Sequence, residues 1–536
     1  MLHPSPLSGT AILPIAEELA RFFTVYVLDT PGYGLSDAPP YKPASLDDYL
    51  PIFHDALDAL GLDSVCLYGC ATGAQIGVEF AARYPSRVTL LVLDTAGHID
   101  AEECERIVRN YFPAVRPEKD GRHLVTLWQM VRDLFVFFPW CDARGVSRVA
   151  RDLPPPTVMQ GMLLDYLRAG ERYDWAYRPA FSNARAERTR AVTVPTVLTR
   201  WEGSIALRIT DALIAEGLPA NFSVLPLGPA MTDRTAGIAE HVRRRYQGAA
   251  ARTVPVQVVV PGRITSTYFA ARGGQLHARI STSGAGRPVL TLHSPAASAA
   301  LVEPIVAPWV GRRPVIALDL PGNGESDALL ADSELSMENY ASVVNEALDA
   351  AGIAEVDIVG RYGGGNVALE MHRQKPARVR RIAFLGVPLF TAEERASLLA
   401  NYCPSIAPRA DGTHLISAWY MMRDQALWFP YFRTDRGGIL FGDPNLDPQF
   451  LHRRVVEVMK MGDRYRHAYA AEFNYPLAER LRDCRADVTL ASAPWEALRG
   501  RVETARGLLP SARALTLPER FGDWAAALDQ HWSVST

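Results

Sequence analysis

The chain has 536 residues, of which 48% are hydrophobic and 21% are charged, so it is long enough for two to four domains with substantial cores. Its formal net charge of −3 includes no strongly basic or acidic block, which argues against nucleic acid or an anionic membrane as the main partner. No apolar run reaches the ~18 residues of a membrane span, and six cysteines without a C-x-x-C pair fit a reducing cytoplasm.

The N-terminal residues, MLHPSPLSG, contain neither a basic segment nor a sustained apolar one, so no signal peptide is predicted. Along the first half, β-branched runs then alternate with amphipathic segments. Strands are predicted at VYVLD, VCLYG and VTLLVLD, and helices at 45–62 and at GVEFAARYP. A long helical insertion and a strand–helix–strand–helix series complete the half. This alternation predicts a mostly parallel sheet covered by helices on both faces.

The second half repeats the first. VYVLDTPGYGLSD (25–37) matches VIALDLPGNGESD (315–327), and GERYDWAYRPAF (170–181) matches GDRYRHAYAAEF (462–473), at offsets of 290 and 292 residues. A period of this length is too long for a solenoid and indicates the tandem duplication of one domain.

The duplication predicts two domains with one joint. The first domain is predicted at residues 1–250, with a cap insertion at about 98–190, and the second at residues 251–536, with a cap insertion at about 388–480. An alanine-rich stretch at 247–263 is the predicted joint, because it follows a helix-like segment and precedes new strands.

These features resemble the α/β-hydrolase superfamily over essentially the whole chain, once in each half. The resemblance rests on a histidine-containing turn (LHPSPLSG and LHSPAASA), a D-x-P-G-x-G-x-S-D run, a strand–tight turn–helix elbow, and a helical insertion where the family has its cap. It implies two α/β-hydrolase-like domains, each a mostly parallel, doubly wound sheet with a helical cap insertion, the first of which lacks its N-terminal strands.

The missing strands raise a question about the first sheet. The second half begins with a hairpin-like pair, TSTYFAARGGQLHARIST, and a strand, PVLTLH (288–293), which have no counterpart in the first. The strand matching PVLTLH is interior in the family, so its loss would leave backbone groups unpaired. Either the natural start lies upstream or VPVQVVV (254–260) fills the slot; direct pairing of VYVLD with VCLYG would refute both options.

The resemblance also implies where a nucleophile, an acid and a histidine would stand. The family elbow is G-x-S-x-G, but its middle residue is Ala71 in the first half and Tyr362 in the second. The family acid falls near Ser204 and Glu496, with Glu202 close by, and the segments after the last strands, VLPLGPAMTD and LTLPERFGDW, contain no histidine. A Ser-His-Asp triad is therefore not expected in either half.

Both halves instead contain a polar block within the predicted cap, which reads D-G-x-H-L, then Trp, then M-x-R-D, then F-P. Asp120 can cap the following helix, Trp128 and Arg132 share a helix face, and the adjacent Arg132 and Asp133 point about 100° apart. Imidazole, guanidinium and indole groups suit an anionic or planar aromatic ligand, and His123 could act as a general base.

The block and the elbow give two sets of candidate site residues. The predicted catalytic residues are His123, Arg132, Asp133, His414, Arg423 and Asp424. The predicted substrate-binding residues are His3, Ala71, Trp128, His293, Tyr362 and Trp419, the first and fourth of which lie on the oxyanion loops. A structural alternative stays open, in which the aspartates cap helices, the tryptophans fill the core and the arginines form ion pairs.

Two functions of different class remain open. The first is a divergent enzyme that acts on a small, largely apolar substrate without a serine nucleophile, for example as a lyase, a cyclase or a general-base hydrolase. The second is a catalytically inactive pair of lobes that binds a ligand or a protein partner. No cofactor or metal is predicted, because the chain has no phosphate-binding loop and no metal-ligand spacing. The two lobes are predicted to pack together.

Overall fold

The structure, a computed structural model, describes residues 1–246, 248 and 260–533. Most of the predicted joint at 247–263 lies outside the described residues. The same is true of residues 254–259, so the proposal that this segment replaces a strand stays a prediction.

The chain divides into two compact units. Unit 1 contains residues 1–116 and 123–256, and unit 2 contains residues 117–122 and 257–536. Among the described residues, no helix combines the length and the apolar composition that crossing a membrane requires.

The first half of the chain alternates strands with helices. Its strands are β1 (Val65–Cys70), β2 (Val88–Asp94), β3 (Thr196–Trp201) and β4 (Phe222–Leu227). Its helices are α1 (Leu13–Ala20), α2 (Leu50–Ala59), α3 (Thr72–Arg83), α4 (Ala101–Tyr111), α5 (Arg122–Asp133), α6 (Pro156–Ala169), α7 (Tyr177–Asn183), α8 (Ala186–Thr189), α9 (Leu207–Ala215) and α10 (Met231–Arg245). The strands form a parallel sheet in the order β1-β2-β3-β4.

The strand predicted at 25–29 is not formed as a regular strand. Leu2 makes isolated parallel bridges with both Leu28 and Gly69, and its backbone forms hydrogen bonds of 2.9 and 3.0 Å with β1. Residues 25–29 therefore have only the few residues around Leu2 as a pairing partner. This segment is too short to form the series of hydrogen bonds that a regular strand requires. Among the described residues they do not pair directly with β1, so the expected gap is bridged only where Leu2 lies.

The second half contains strands that have no counterpart among the described residues of the first half. Its strands are β5 (Thr265–Ala271), β6 (Gly274–Ser281), β7 (Val289–Leu292), β8 (Val315–Leu318), β9 (Val356–Arg361), β10 (Val379–Leu385), β11 (Asp487–Ser492) and β12 (Arg513–Thr516). Its helices are α11 (Ala299–Val306), α12 (Met337–Ala350), α13 (Gly363–Gln374), α14 (Ala392–Asn401), α15 (Thr413–Asp424), α16 (Pro448–Met461), α17 (Tyr465–Asn474), α18 (Leu477–Asp483), α19 (Arg501–Leu508) and α20 (Trp524–Ser533).

The eight strands of unit 2 form one mixed sheet in the order β12-β11-β10-β9-β7-β8-β6-β5. The predicted hairpin is confirmed as the antiparallel pair β5 and β6, which extends the sheet through an antiparallel pairing of β6 with β8. From β8 to β12 all pairings are parallel. The strand matching PVLTLH is β7, and it lies between β8 and β9 as an interior strand.

Residues that alternate along these strands belong to two separate cores. Leu290 and Ile358 belong to a cluster that includes residues of α12 and α13. Val289 and Val359, one position away, belong to a second cluster that includes residues of α11 and α20. Because successive side chains of a strand point to opposite faces, the sheet is covered by helices on both sides. The predicted doubly wound α/β architecture is confirmed.

In each half, a helical insertion lies in the sequence between two strands that are neighbours in the sheet. Helices α4 to α8 lie between β2 and β3, and helices α14 to α18 lie between β10 and β11. The insertions follow the strand after the elbow, which is where the sequence resemblance places the cap.

Candidate functional site

Both elbows keep the backbone geometry of a tight strand–helix turn. Ala71 follows β1 with φ 49° and ψ −109°, and Tyr362 follows β9 with φ 49° and ψ −117°. A positive φ is strained for a residue with a side chain, by about 1–3 kcal/mol, and is retained only where the surrounding structure enforces it. The amides of Ala71 and Tyr362 donate to carbonyl oxygens at the ends of β2 and β10, each at 2.9 Å.

Glycines on either side of each elbow let the helix approach the sheet. A Cβ on Gly73 would lie 2.4 Å from the carbonyl oxygen of Leu2, and one on Gly364 would lie 2.2 Å from that of Leu292. Real Cβ atoms do not approach backbone oxygens this closely, so only glycine fits. These glycines hold α3 and α13 with their N-termini at the elbow.

The two oxyanion-loop histidines connect backbone segments. In unit 1, His3 Nε2 accepts a hydrogen bond from the amide of Thr30 at 2.8 Å, and its Nδ1 lies 3.0 Å from the Pro4 carbonyl oxygen. In unit 2, His293 Nε2 accepts from the amide of Leu320 at 3.0 Å.

The Nδ1 atom of His293 lies 2.7 Å from the Ser294 carbonyl oxygen. Both rings are fully buried, and burial lowers the pKa of each histidine, so both are neutral. The ring nitrogens of His3 and His293 thus bond to the backbone of their loops, and the substrate-binding role predicted for these loops stays a prediction.

In unit 2, the elbow residue contacts Glu496, the residue predicted to lie near the family's acid position. The Tyr362 hydroxyl donates to Glu496 Oε1 at 3.2 Å, and Glu496 Oε2 accepts from the Ala493 amide at 3.0 Å. Burial raises the pKa of Tyr362, and also raises that of Glu496 against the opposing effect of Arg361. The Arg361 guanidinium lies 5.2 Å from the Tyr362 ring centroid and 5.3 Å from that of Phe521.

A second arginine and several tyrosines surround this pair. Arg454 on α16 donates to the carbonyl oxygen of Met422 and to the side-chain oxygen of Gln425, both of which belong to the cap insertion. Burial lowers the pKa of Arg454, which is near the hydroxyls of Tyr469 and Tyr402. Two cations, two carboxyl groups and a set of phenols therefore line one half-buried region between elbow and cap.

The second carboxyl group belongs to Glu472 on α17. It is 5% exposed and lies against Gly363, the residue after the elbow: a Cβ on Gly363 would be 2.7 Å from Glu472 Oε2. Burial raises the pKa of Glu472 to about 8, an effect that the Gly363 amide only partly offsets.

Unit 1 has neutral residues at the four corresponding positions. Where unit 2 has Arg361, Arg454, Glu472 and Glu496, the matching residues of the first half are Cys70, Met162, Ala180 and Ser204. Its elbow region is aromatic, with the hydroxyls of Tyr111 and Tyr177 2.6 Å apart. The charged elbow region is therefore confined to unit 2.

Unit 1 instead buries an ion pair beneath its sheet. Arg234 on α10 contacts Asp94 Oδ2 at 2.7–2.8 Å, and Asp94 also accepts from the hydroxyls of Tyr68 at 2.6 Å and Thr199 at 2.7 Å. Cys70 Sγ lies 3.3 Å from the same guanidinium, and burial raises its pKa to about 11. This thiol is therefore protonated near neutral pH and is not an activated nucleophile.

The tryptophans and histidines of the cap block are buried. His123 is 4% exposed, Trp128 3%, His414 1% and Trp419 0%. His414 Nδ1 accepts from the Arg409 amide at 3.1 Å, and burial, followed by Arg409, lowers its pKa to about 4. A ring with this pKa is a weak base at neutral pH.

The arginines and aspartates of the block lie nearer the surface. On α5, Arg132 follows Trp128 by four residues and therefore lies on the same helix face, where Trp128 is buried and Arg132 is exposed. Asp133 is half-buried. Arg423 and Asp424 pair with each other at 3.1 Å. The catalytic role of the block stays a prediction.

Each block aspartate contacts the start of the next helix as expected. Asp120 Oδ1 accepts from the Arg122 amide at 3.1 Å, and Asp411 Oδ1 accepts from the Thr413 amide at 3.0 Å. Both carboxylates are exposed, and these contacts hold their pKa values below the usual range, with Arg122 the main cause for Asp120.

Sequence reasoning placed Tyr362 and Glu496 in one region but missed Arg361, Arg454 and Glu472. A comparison of the two halves could have found these three, because each is an ionisable residue opposite a neutral one in otherwise matching segments. Glu202, the other acid considered, is exposed.

Among the described residues, His54, Asp55 and Asp58 on α2 bring potential metal-ligand atoms together, but they lie at the surface. Arg87 contacts both His54 Nε2 and Asp58 at 2.8 Å. Arg87 therefore places a positive charge beside this cluster, which disfavours a bound cation.

Comparisons with known proteins point to one family. A family model described as the alpha/beta hydrolase fold matches residues 7–125 and 287–407. A 2-hydroxymuconate semialdehyde hydrolase of Pseudomonas sp. (strain CF600) is 31% identical over 137 residues, 25% of this chain and 48% of that protein. A pimeloyl-[acyl-carrier protein] methyl ester esterase of Chromobacterium violaceum is 36% identical over 93 residues, 17% of this chain and 34% of that protein.

The chain thus spans about half or less of the length of these curated relatives. Among solved structures, the enol-lactonase from Burkholderia xenovorans LB400 is 16% identical, with a TM-score of 0.38, over 50% of this chain and 98% of that one.

The strand order, the strained elbows and the helical insertions define a scaffold of the hydrolase type in each half. The chain belongs to the α/β-hydrolase superfamily and contains the domain of that superfamily twice.

Proposed function

We propose that the chain is a divergent α/β-hydrolase-fold enzyme whose chemistry lies in unit 2 and needs no Ser-His-Asp triad. Its substrate would be small and largely apolar, and would bear a carbonyl or carboxylate group. The observation that carries the proposal is the contact between Tyr362, at the nucleophile position, and Glu496, at the acid position. The strained backbone at Tyr362 supports it, because strain of this kind concentrates at functional sites.

Tyr362 would act as a hydrogen-bond donor. Its raised pKa keeps the phenol protonated at neutral pH, which disfavours nucleophilic attack by its oxygen. The protonated phenol can turn from Glu496 to donate to a substrate oxygen on which negative charge develops. Glu496 is then released to accept a proton from water or from a substrate carbon. These roles fit a general-base hydrolase or a lyase.

The surroundings support the substrate class. The rings of Tyr402 and Tyr469 offer apolar surface, and Arg454 and Arg361 supply positive charge that suits a carboxylate. The names of the two relatives above, a semialdehyde hydrolase and a methyl ester esterase, point to carbonyl substrates for those proteins. A carbonyl-bearing substrate is our proposal for this chain.

A turnover screen on the purified protein tests the proposal. The panel contains aryl and alkyl esters, thioesters, lactones and 1,3-diketones. We expect activity with at least one class, a loss of about 100-fold or more in Tyr362→Phe and Glu496→Gln, and little change in Tyr177→Phe of unit 1. Equal activity in Tyr362→Phe and wild type would contradict the proposed site.

The alternative is a catalytically inactive pair of lobes that binds a ligand or a protein partner. The observation that favours it is the elbow of unit 1, where Ala71 has no functional group and the tyrosine hydroxyls around it bond to one another. Thermal-shift measurements on the same compounds separate the two functions. Stabilisation by a compound without turnover of any supports the inactive pair.

A further inference from the structure

Glu472 in unit 2 is a buried carboxyl group without a partner for its charge. Within the described part of the chain it forms no ion pair, and its Oε2 atom has no hydrogen-bond partner. A buried carboxylate in this condition is strongly unfavourable unless it takes up a proton or a ligand supplies a hydrogen-bond donor. The matching residue of the first half is Ala180, so the fold itself does not require an acid here.

The position of Glu472 links it to the elbow. A Cβ on Gly363 would lie 2.7 Å from Glu472 Oε2 and 3.0 Å from Pro295 Cδ. Glu472 and the loop that contains His293 therefore both lie against Gly363, the first residue of α13, a helix of twelve residues. The N-terminus of α13 directs the Gly363 amide and the positive end of the helix dipole at this point.

The groups that face Glu472 from neighbouring elements are neutral near pH 7. They are the Tyr402 hydroxyl, the Cys403 thiol and, on its own helix, the Tyr469 hydroxyl, whose pKa values are all raised, chiefly by burial. Arg454 interacts with these tyrosines and with Arg361, and neither arginine is among the causes of the pKa shift of Glu472.

The other acid of the region, Glu496, is occupied by the Tyr362 hydroxyl and the Ala493 amide. The ionisation of Glu472 is thus governed mainly by burial and by the Gly363 amide.

We propose that Glu472 and the Gly363 amide form a subsite for the oxygen of a neutral carbonyl group on a largely apolar ligand, with Glu472 donating as a carboxylic acid. The proposal rests on the proposed function only in that the ligand lies at the elbow of unit 2; it does not require turnover. A protonated carboxyl group in apolar surroundings is a strong donor, and its ionisation turns the same atoms into a repulsive acceptor. Carbonyl binding is therefore lost as the pH rises through the pKa of Glu472.

Infrared difference spectra of the full chain test the protonation state without any ligand. The wild-type minus Glu472→Gln spectrum is expected to contain the C=O stretch of a protonated carboxyl group at pH 6.5, and to lose it with a midpoint near pH 8. Glu496→Gln identifies the band of the other buried acid. Glu472→Ala, which copies unit 1, serves as second variant if Glu472→Gln does not fold. Absence of the band at pH 6.5 overturns the proposal.

Binding of acetophenone, with ethylbenzene as the matched compound that lacks the oxygen, tests the subsite. By calorimetry we expect acetophenone affinity to fall at least about tenfold between pH 6.5 and 9.5 in the wild type and to stay constant in Glu472→Gln. Ethylbenzene affinity should not change.

The subsite is overturned if the affinity for acetophenone changes neither with pH nor in Glu472→Ala. It is also overturned if acetophenone does not bind up to its solubility limit. Either result would reject the subsite without deciding the proposed function, which the turnover screen tests. Conversely, if no compound is turned over but acetophenone binds as expected, the subsite stands and the proposed function fails.

Discussion

The chemistry proposed for this protein depends on a few side chains near the elbow of unit 2. At the elbow position, where the family has its nucleophile, Tyr362 is a hydrogen-bond donor that reaches Glu496 directly. Glu472 adds an acid beside the elbow amide. The first half has no ionisable side chain at the positions of Glu472 and Glu496.

Glu472 should make stability depend on pH. Its pKa is raised from 4.5 to about 8 in the folded protein, so the native state binds the proton more tightly than the unfolded state. Its contribution to stability is full below pH ~4.5 and is lost as the pH rises through about 8, by up to about 5 kcal/mol.

Urea unfolding of wild type and Glu472→Gln at pH 5 and pH 9 measures this effect. We expect the two proteins to be similar at pH 5 and Glu472→Gln to be the more stable at pH 9. A difference of the same size at both pH values would show that Glu472 titrates normally.

At the scale of elements, the elbow and its glycines are the feature that both halves share most closely. The strand, the strained residue and the helix are held together by backbone contacts that admit no Cβ. The elements beneath them differ: β2 of unit 1 ends in the buried Asp94, where β10 of unit 2 ends in Leu385. One scaffold therefore accepts either a polar or an apolar core behind the elbow.

Gly364→Ala should destabilise unit 2. The added Cβ would lie 2.2 Å from the Leu292 carbonyl oxygen, and backbone cannot move away cheaply. We expect a loss of about 3 kcal/mol or more, from the overpacking and separation of α13 from β7. The matched control is Gly507→Ala on exposed α19, where nothing lies within 4 Å and a gain of up to about 1 kcal/mol is expected. Equal unfolding midpoints for the two variants would contradict this account.

Removing one partner of the Arg234–Asp94 ion pair should destabilise unit 1 strongly, whereas replacing the whole polar cluster by apolar residues should destabilise it little. Arg234→Met leaves the Asp94 charge buried, so we expect a loss of about 3–5 kcal/mol. The triple variant Tyr68→Phe, Asp94→Leu, Arg234→Met should recover most of it, because unit 2 has Leu385 in the place of Asp94. Denaturant unfolding of both variants provides the measurement, and a triple variant no more stable than Arg234→Met would count against the explanation.

At the scale of the whole molecule, the two duplicated halves differ in the size of their sheets and in the side chains at their elbows. Unit 1 retains a short parallel sheet and an elbow without a functional group, whereas unit 2 retains the full mixed sheet and a charged elbow region. The chemistry proposed for the chain is accordingly assigned to unit 2.

This asymmetry predicts that a serine introduced at the elbow of unit 1 will not produce serine-hydrolase activity. In Ala71→Ser the new hydroxyl would have Ser204 at the acid position and no histidine in the segment after β4. We expect neither the wild type nor Ala71→Ser to be labelled by a fluorophosphonate probe, measured by intact-protein mass spectrometry beside an active serine esterase. Stoichiometric labelling of either protein would refute the absence of a triad.

The sequence by itself determined the duplication, the α/β class, the elbows and the hairpin, because each depends on local patterns: periodicity, glycines that a turn requires, and matching segments. It misjudged residues 25–29, since a strand needs a neighbour as well as β-branched residues. Only the tertiary structure decided that Glu472 lies against Gly363 and that Tyr362 reaches Glu496. These partners are more than 100 residues apart, and the packing of the helical insertion and of the strand ends brings them together.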